Sequence, residues 1–171
     1  MKQKSLTKKL VTCALFTALT MISTLLIRIP LPLGYVHLGD ALVFLSVFVL
    51  GPIWGVVAAG LGSALADVIG YIAYTPATLV IKSLMAVCAW LIYKALTKTF
   101  KKEIFAEIIG GVVGSLVMAF GYFLFEAFLY ASAGVAIVNV PWNILQGAVG
   151  IAVAVAIMRL LRATKILDSL K

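Results

Sequence analysis

Continuous apolar runs fill most of this chain and limit the folds that it can adopt. Short segments with proline, glycine or charged residues separate the runs. The runs occupy positions 9–27, 38–50, 53–70, 76–96, 104–130 and 140–161. Because a helix needs about 20 apolar residues to cross the hydrocarbon core of a bilayer, the sequence predicts six transmembrane helices. The runs do not alternate apolar and polar residues, which argues against a β-barrel. We therefore expect an all-α membrane bundle.

The composition supports one membrane domain over residues 1–171. Apolar residues make up 64% of the chain and charged residues 12%, whereas a soluble domain has about half and about a quarter. Six spans with short connections leave no room for a soluble domain. The first run is longer than the apolar part of a signal peptide, and no small-residue cleavage motif follows it. We therefore expect it to be the first span.

The basic residues predict the orientation of the chain. All but two of the 14 Lys and Arg residues lie at or before the start of the first run, from the last turn of the fourth run to the start of the fifth, or from the last turn of the sixth run onward. The positive-inside rule assigns these three segments to the cytoplasm, so we expect both termini there. The net charge of +8 does not indicate nucleic-acid binding, because the basic residues flank apolar runs instead of forming a patch with exposed aromatics.

Asp67 and Lys82 are charged residues within the third and fourth apolar runs. Asp67 precedes the end of the third run by about one turn, and Lys82 lies about 9 Å into the fourth, so both reach similar depths. A charge at the centre of a membrane helix costs about 2.5–3.5 kcal/mol on insertion scales, so both side chains should face protein or a watered cavity. They could pair with each other or contact a ligand, and the sequence leaves both possibilities open.

Other polar and aromatic residues are predicted at the same depth, near the outer face. The fifth and sixth runs carry helical stripes, which are Tyr122, Glu126 and Tyr130, and Asn139, Asn143 and Gln146. Apolar walls with a few convergent polar groups are typical of a ligand pocket. Each residue also has a structural explanation, as an interfacial aromatic, a loop-ordering histidine or an interhelical hydrogen bonder. The predicted substrate-binding residues are His37, Asp40, Asp67, Tyr71, Tyr74, Lys82, Glu126, Trp142, Asn143 and Gln146.

Small residues spaced four apart form a second pattern. The pairs are Ala14 and Ala18, Gly51 and Gly55, and Gly110 and Gly114. Such spacing lets helix backbones approach closely in a membrane. We predict that the glycine pairs pack helices within the chain. Ala14 and Ala18 could instead form an exposed docking strip for a partner.

Motifs for catalysis or metal binding are missing from the sequence. It has no Walker A pattern for ATP, no HExxH and no nucleophile paired with a base. Cys13 and Cys88 lie in apolar runs without CxxC spacing, so neither a zinc site nor a disulfide framework is indicated. We therefore expect a protein that is not an enzyme and that binds no metal.

Three sequence blocks carry a resemblance to a known family. They are HLGDALVFLSVFVLGPIWGVVAAGLGSALADV (37–68), PATLVIKSLMA (76–86) and VPWNILQGAVG (140–150), and a basic N-terminus leads into Ala14-x-x-x-Ala18. With these blocks the chain resembles the substrate-binding S components of energy-coupling-factor (ECF) vitamin transporters over nearly its whole length. The first block is the most specific, and it is closest to the riboflavin-type branch, which includes pyridoxine-like and hydroxymethylpyrimidine-like carriers.

The resemblance implies a fold and a set of partners. Six helices would enclose a vitamin pocket that opens to the outside of a bacterial plasma membrane. A transmembrane coupling (T) subunit would dock on Ala14 and Ala18, above two ATPase subunits. ATP would be used by those ATPases, so the resemblance implies no cofactor for this chain.

The predicted pocket chemistry narrows the substrate. Carboxylates, an ammonium, amides and aromatics together suit a small ring-bearing molecule that is neutral or weakly basic, such as pyridoxine or hydroxymethylpyrimidine. Riboflavin and pantothenate remain alternatives within the family. A self-sufficient secondary transporter is the alternative from another class, in which Asp67 or Glu126 would carry a coupling proton.

Overall fold

Helices dominate the chain, and one short β-hairpin interrupts them. The structure, a computed structural model, describes residues 2–31, 34–99, 103–164 and 167. The helices are α1 (Lys2–Leu26), α2 (Gly39–Gly70), α3 (Thr75–Leu96), α4 (Glu103–Leu129), α5 (Ala133–Ala136) and α6 (Val140–Ala163). The strands are β1 (Arg28–Leu31) and β2 (Gly34–His37), and 3₁₀ turns cover Ile72–Tyr74 and Ile137–Asn139.

The long helices form a membrane bundle. Within the described residues, five segments are long and apolar enough to cross a bilayer, and they are Leu6–Leu26, Gly39–Gly70, Ile72–Leu96, Glu103–Leu129 and Ala133–Ala163. Sequence neighbours pack on each other from α1 to α4, and α6 closes the bundle by packing on both α4 and α2. The interior holds the buried side chains of Phe44, Met85, Met118 and Met158. The predicted all-α membrane bundle is confirmed.

Helix α2 is sharply bent. The sequence predicts two spans, 38–50 and 53–70, where the structure assigns one helix. The backbone leaves the helical region at Gly51, where φ is 78° and ψ is −169°, a conformation that suits glycine. Ser46 Oγ donates a hydrogen bond to Gly55 O at 2.9 Å, although these residues would lie about 14 Å apart along a straight helix. α2 therefore folds back at Gly51 as two helical arms.

Glycines let the helix backbones touch. A Cβ added to Gly55 would lie 2.5 Å from Ser46 O, and one on Gly110 would lie 2.6 Å from Ala89 O. Gly114 meets the same helix, α3, one turn further along. Real Cβ atoms do not make contacts this short, so none of the three sites has room for a side chain. The prediction that the glycine pairs pack helices within the chain is confirmed for these three, whereas Gly51 lies at the bend, where a Cβ would meet its nearest described atom, Trp90 Nε1, at 4.0 Å.

The β-hairpin connects α1 to α2 at one end of the bundle, the hairpin end. β1 and β2 pair antiparallel, with Arg28 opposite His37 and Pro30 opposite Tyr35. Pro30 disfavours a helix in this segment, and the segment forms two strands instead. Through Tyr35 and His37, the hairpin brings aromatic and polar side chains to the helices.

Ion pairs between α4 and α6 hold the opposite, basic end of the bundle. Glu107 is fully buried and accepts hydrogen bonds from Arg159 Nη2 at 2.6 Å and Arg162 Nη2 at 2.5 Å. Arg162 also pairs with Glu103. From the sequence alone, Arg159 and Arg162 indicate only the orientation of the chain. Their carboxylate partners lie one turn apart on α4, so both charges on α6 are balanced within the protein.

The bend of α2 can be tested with Gly55→Ala. The new methyl group would collide with the backbone of Ser46, which cannot rotate away, so the two arms must separate. We expect a loss of about 1–3 kcal/mol in the free energy of unfolding, measured as a lower Tm in detergent. Gly134→Ala is the matched control, because a Cβ there meets its nearest atom at an ordinary 3.7 Å. Equal Tm values for the two variants would contradict the fold-back.

Candidate functional site

An aromatic-walled cleft lies at the hairpin end. The rings of Tyr35, Tyr71 and Tyr74 follow one another at centroid distances of 5.0 and 6.2 Å, and Tyr122 lies 6.4 Å beyond Tyr74. The space between the walls is about 540 Å³ when its open side is counted. The cleft is lined by Thr24, Tyr35, His37, Ser63, Asp67, Tyr71, Tyr74, Thr78, Tyr122, Glu126, Asn139, Trp142, Asn143 and Gln146.

Two buried carboxylates line the cleft. Asp67 Oδ1 accepts a hydrogen bond from Tyr35 Oη at 2.5 Å. Burial raises the pKa of Tyr35, so its hydroxyl stays protonated and can donate. Glu126 Oε1 accepts hydrogen bonds from Asn139 Nδ2 at 3.0 Å and from Tyr74 Oη at 3.4 Å. Asp67 and Glu126 are 5% and 3% exposed, and the donors named here are neutral.

Three buried polar atoms of the cleft have no hydrogen-bond partner in the part of the chain that the structure describes. They are Thr24 Oγ1, Ser63 Oγ and Glu126 Oε2. Leaving a buried donor or acceptor unsatisfied costs about 1–3 kcal/mol. A molecule that supplied the missing bonds would recover part of that free energy. The cleft therefore offers a polar ligand three atoms that can form hydrogen bonds with it.

Lys82 and Asp40 lie beside the cleft and not in its lining. They form an ion pair in which both side chains are fully buried. Lys82 Nζ also lies 2.8 Å from Met118 Sδ and 5.5 Å from the centroid of the Tyr122 ring. Gly150 lets α6 approach this pair, because a Cβ there would lie 2.9 Å from Asp40 Cβ. The positive charge of Lys82 is thus balanced by Asp40, outside the lining of the cleft.

Gln146 connects the ion pair to the hairpin. Its Nε2 donates to Asp40 Oδ2 at 2.8 Å, and its Oε1 accepts from the backbone N–H of His37 at 3.0 Å. The His37 Nδ1 accepts from the backbone N–H of Gly39 at 3.1 Å. Burial lowers the pKa of His37 to about 4, so its ring is neutral at pH 7. Together these bonds fix β2 against α2 and α6.

Comparisons with known proteins decide the family. A family model described as the S component of the ECF-type riboflavin transporter matches residues 4–163. The chain belongs to the ECF transporter S components. As such it is a multi-pass membrane protein that binds a substrate for transport, and it is not an enzyme.

Two further proteins are similar to this S component. A protein of Pyrococcus woesei, described as an uncharacterized protein in gap 3'region, is 37% identical over 132 residues, which cover 76% of this chain and 85% of that protein. The solved structure of the S component of a bacterial ECF transporter matches with a TM-score of 0.75 at 22% identity. That match covers 92% of this chain and 97% of the solved one, so the two share a fold.

The structure brings most of the predicted substrate residues of this S component together. Those that line the cleft are His37, Asp67, Tyr71, Tyr74, Glu126, Trp142, Asn143 and Gln146. Lys82 and Asp40 do not, because each is fully buried against the other. Of the two roles left open for Lys82, pairing is observed, and its partner is Asp40 instead of Asp67. Asp67 bonds Tyr35 of the hairpin.

The cleft also contains residues that the sequence analysis did not select. Tyr122 and Asn139 belong to the two polar stripes and could have been included on that signal. No polar stripe or charge in the sequence pointed to Thr24, Ser63 or Thr78 as lining residues. A hydroxyl in a membrane helix commonly bonds a carbonyl of its own helix, so only the structure shows which ones face a cavity.

Replacing Lys82 tests the buried network. Lys82→Met leaves the Asp40 carboxylate buried without its cation, and we expect a loss of about 3–5 kcal/mol in the free energy of unfolding. The double variant Lys82→Met/Asp40→Asn should recover much of the loss, because no lone charge remains. Unfolding in detergent measures both. Lys94→Met, at an exposed site of the same helix, is the control, and a Lys82→Met protein as stable as this control would contradict the assignment.

Proposed function

We propose that this S component binds a small ring-bearing vitamin, such as pyridoxine or hydroxymethylpyrimidine, in the cleft at the hairpin end and presents it to an ECF importer. Riboflavin and pantothenate are the alternatives. The observation that carries the proposal is the cleft itself, whose aromatic walls enclose Thr24 Oγ1, Ser63 Oγ and Glu126 Oε2 without protein partners among the described residues. Few polar groups between apolar walls suit a ring with several hydrogen-bonding groups.

The proposed contacts divide into polar groups and walls. Asp67, Glu126 and Asn143 would bond the polar groups of the vitamin, and Tyr71 and Trp142 would pack against its ring. Both aromatic side chains are partly exposed, at 37% and 43%, so they have surface to give to a ligand.

Three other predicted residues would act indirectly. Lys82 and Asp40 would hold Gln146 in place, because the amide of Gln146 is bonded on one side to Asp40 and on the other to the hairpin. Their contribution to affinity would come from positioning the cleft wall.

The proposed topology has six spans, with the two arms of α2 as the second and third. The fold-back at Gly51 supports it, since Ser46 and Gly55 are in contact across the bend. Both termini would face the cytoplasm of a bacterium, because the basic end carries the Lys and Arg residues that the positive-inside rule counts. The cleft would then open to the outside.

The proposed partners are a T subunit and two ATPase subunits. Ala14 and Ala18 are exposed on α1, and a strip of small residues lets another helix approach closely. The T subunit would dock on this strip, and ATP would be consumed by the ATPases.

Replacing Thr24 tests the site. Thr24→Val keeps the shape of the side chain and removes a buried hydroxyl that has no partner in the described chain, so the unliganded protein should be at least as stable. If the vitamin bonds this hydroxyl, its affinity should fall about fivefold, measured by titration calorimetry with the vitamin that co-purifies.

The matched control is Thr20→Val. Thr20 lies one turn away on α1, and its hydroxyl is also buried without a described partner, but it does not line the cleft. We expect unchanged affinity for this variant. Equal affinities in the two variants would remove Thr24 from the site, and failure of the wild-type protein to bind any vitamin would overturn the proposed function.

Replacing the small residues of α1 tests the docking strip. Ala14→Trp and Ala18→Trp should retain vitamin binding but lose uptake and co-purification with the coupling subunits, because the added bulk keeps a partner helix away. Leu19→Trp, exposed about 120° further round the helix, is the control. Retained co-purification would contradict the docking site. Uptake by the chain alone in liposomes, without ATPases, would favour a secondary transporter.

A further inference from the structure

The charge balance of the cleft narrows the class of its ligand. We propose that the cleft selects a ring-bearing organic cation, with an ammonium group or a positively charged ring, over neutral and anionic molecules of similar size. This inference rests on the proposed function and names the substrate class of the same site.

The lining of the cleft is acidic. Asp67 and Glu126 line it, and among the lining residues that the structure describes no Lys or Arg balances them. Lys82, on the helix that follows Asp67 in the chain, is paired with Asp40 and does not line the cleft. His37 is the remaining titratable base of the lining, and its ring is neutral at pH 7.

Arg28 does not cancel both carboxylates. Its guanidinium carbon lies 5.7 Å from the centroid of the Tyr35 ring, and its side chain lines an adjoining depression that shares Tyr35 and Tyr71 with the cleft. Arg28 is exposed, so solvent screens its charge. Even if that charge is counted in full, one carboxylate of the cleft remains without a cation.

Glu126 has one carboxyl oxygen with hydrogen-bond donors and one without. Its Oε1 atom accepts from Asn139 and Tyr74, whereas its Oε2 atom is buried with no partner in the described chain. A carboxyl group that is buried without compensating charge favours its protonated form, because its anion is strongly destabilised. A ligand N–H that carries positive charge would supply both the missing hydrogen bond and the missing charge, and such charge-assisted bonds are about twice as strong as neutral ones.

The aromatic wall of the cleft also favours a cation. Tyr35, Tyr71 and Tyr74 line the cleft in sequence, and the faces of aromatic rings attract cations. A cation–π contact of this kind is present beside the cleft, where Lys82 Nζ lies 5.5 Å from the centroid of the Tyr122 ring. Acidic groups and aromatic faces therefore favour the same ligand charge.

Matched ligands test the inference. Pyridoxamine and pyridoxine share a ring, and pyridoxamine carries an ammonium group where pyridoxine has a hydroxyl. Thiamine, with a permanently charged ring, and the neutral riboflavin extend the panel. We expect the cationic member of a pair to bind at least about tenfold more tightly, measured by calorimetry on the full chain in detergent.

Two isosteric variants locate the origin of the preference. Glu126→Gln and Asp67→Asn remove charge while keeping the oxygen that accepts from Asn139 or Tyr35. Each should reduce the preference for the cation, taken as the ratio of the affinities for the cationic and the neutral ligand, by about tenfold. Glu103→Gln is the matched control, because that side chain is 48% exposed and lies at the basic end.

The outcomes separate this inference from the proposed function. A neutral ligand that binds as tightly as its cationic partner, or a preference that survives both isosteric variants, overturns the inference and leaves a vitamin-binding S component. If no panel member binds, mass spectrometry of the molecule that co-purifies decides: a cation supports the inference, and a neutral or anionic vitamin overturns it. A chain that neither binds nor co-purifies with a small molecule contradicts the proposed function as well.

Discussion

The ion pair between Lys82 and Asp40 lies at the junction of the helices that build the cleft. Inside a bilayer no water is available to solvate an isolated charge, so a charged side chain must find its partner within the protein. Lys82 comes from α3 and Asp40 from the start of α2, and both are fully buried. Gln146 of α6 bonds the same carboxylate and then the hairpin. One charge requirement therefore fixes four segments relative to one another.

Close backbone contact makes this arrangement possible. Asp40 can reach Lys82 because α6 leaves room for it at Gly150, where a Cβ would lie 2.9 Å from the Asp40 side chain. The bend at Gly51 returns the chain along the first arm of α2, with Gly55 against the backbone of Ser46. In lipid the helices gain little from apolar burial, so close packing at small residues has to hold the bundle.

The pairing of Lys82 with Asp40 also affects the charge of the cleft lining. With its ammonium committed to Asp40, the cleft retains two carboxylates, Asp67 and Glu126, that are bonded to tyrosines and an amide. The hairpin closes one side of the cleft through Tyr35, so a segment outside the helices forms part of its wall. The basic end is built differently, since its buried Glu107 is matched by two arginines. Among the described residues that line the cleft, in contrast, no Lys or Arg accompanies Asp67 and Glu126.

The sequence by itself determined the class of fold and the depth of the polar groups. Apolar runs show which segments enter the bilayer, and the helical rise places Asp67, Glu126 and Asn143 near one level. Only the tertiary structure decided the partners, because depth along a helix does not show how that helix is rotated against its neighbours. On depth alone, Asp67 was the candidate partner of Lys82, and the packing of α2 on α3 and α6 placed Asp40 there instead. For the same reason Thr24 and Thr78 became visible as lining residues only when the helices were assembled.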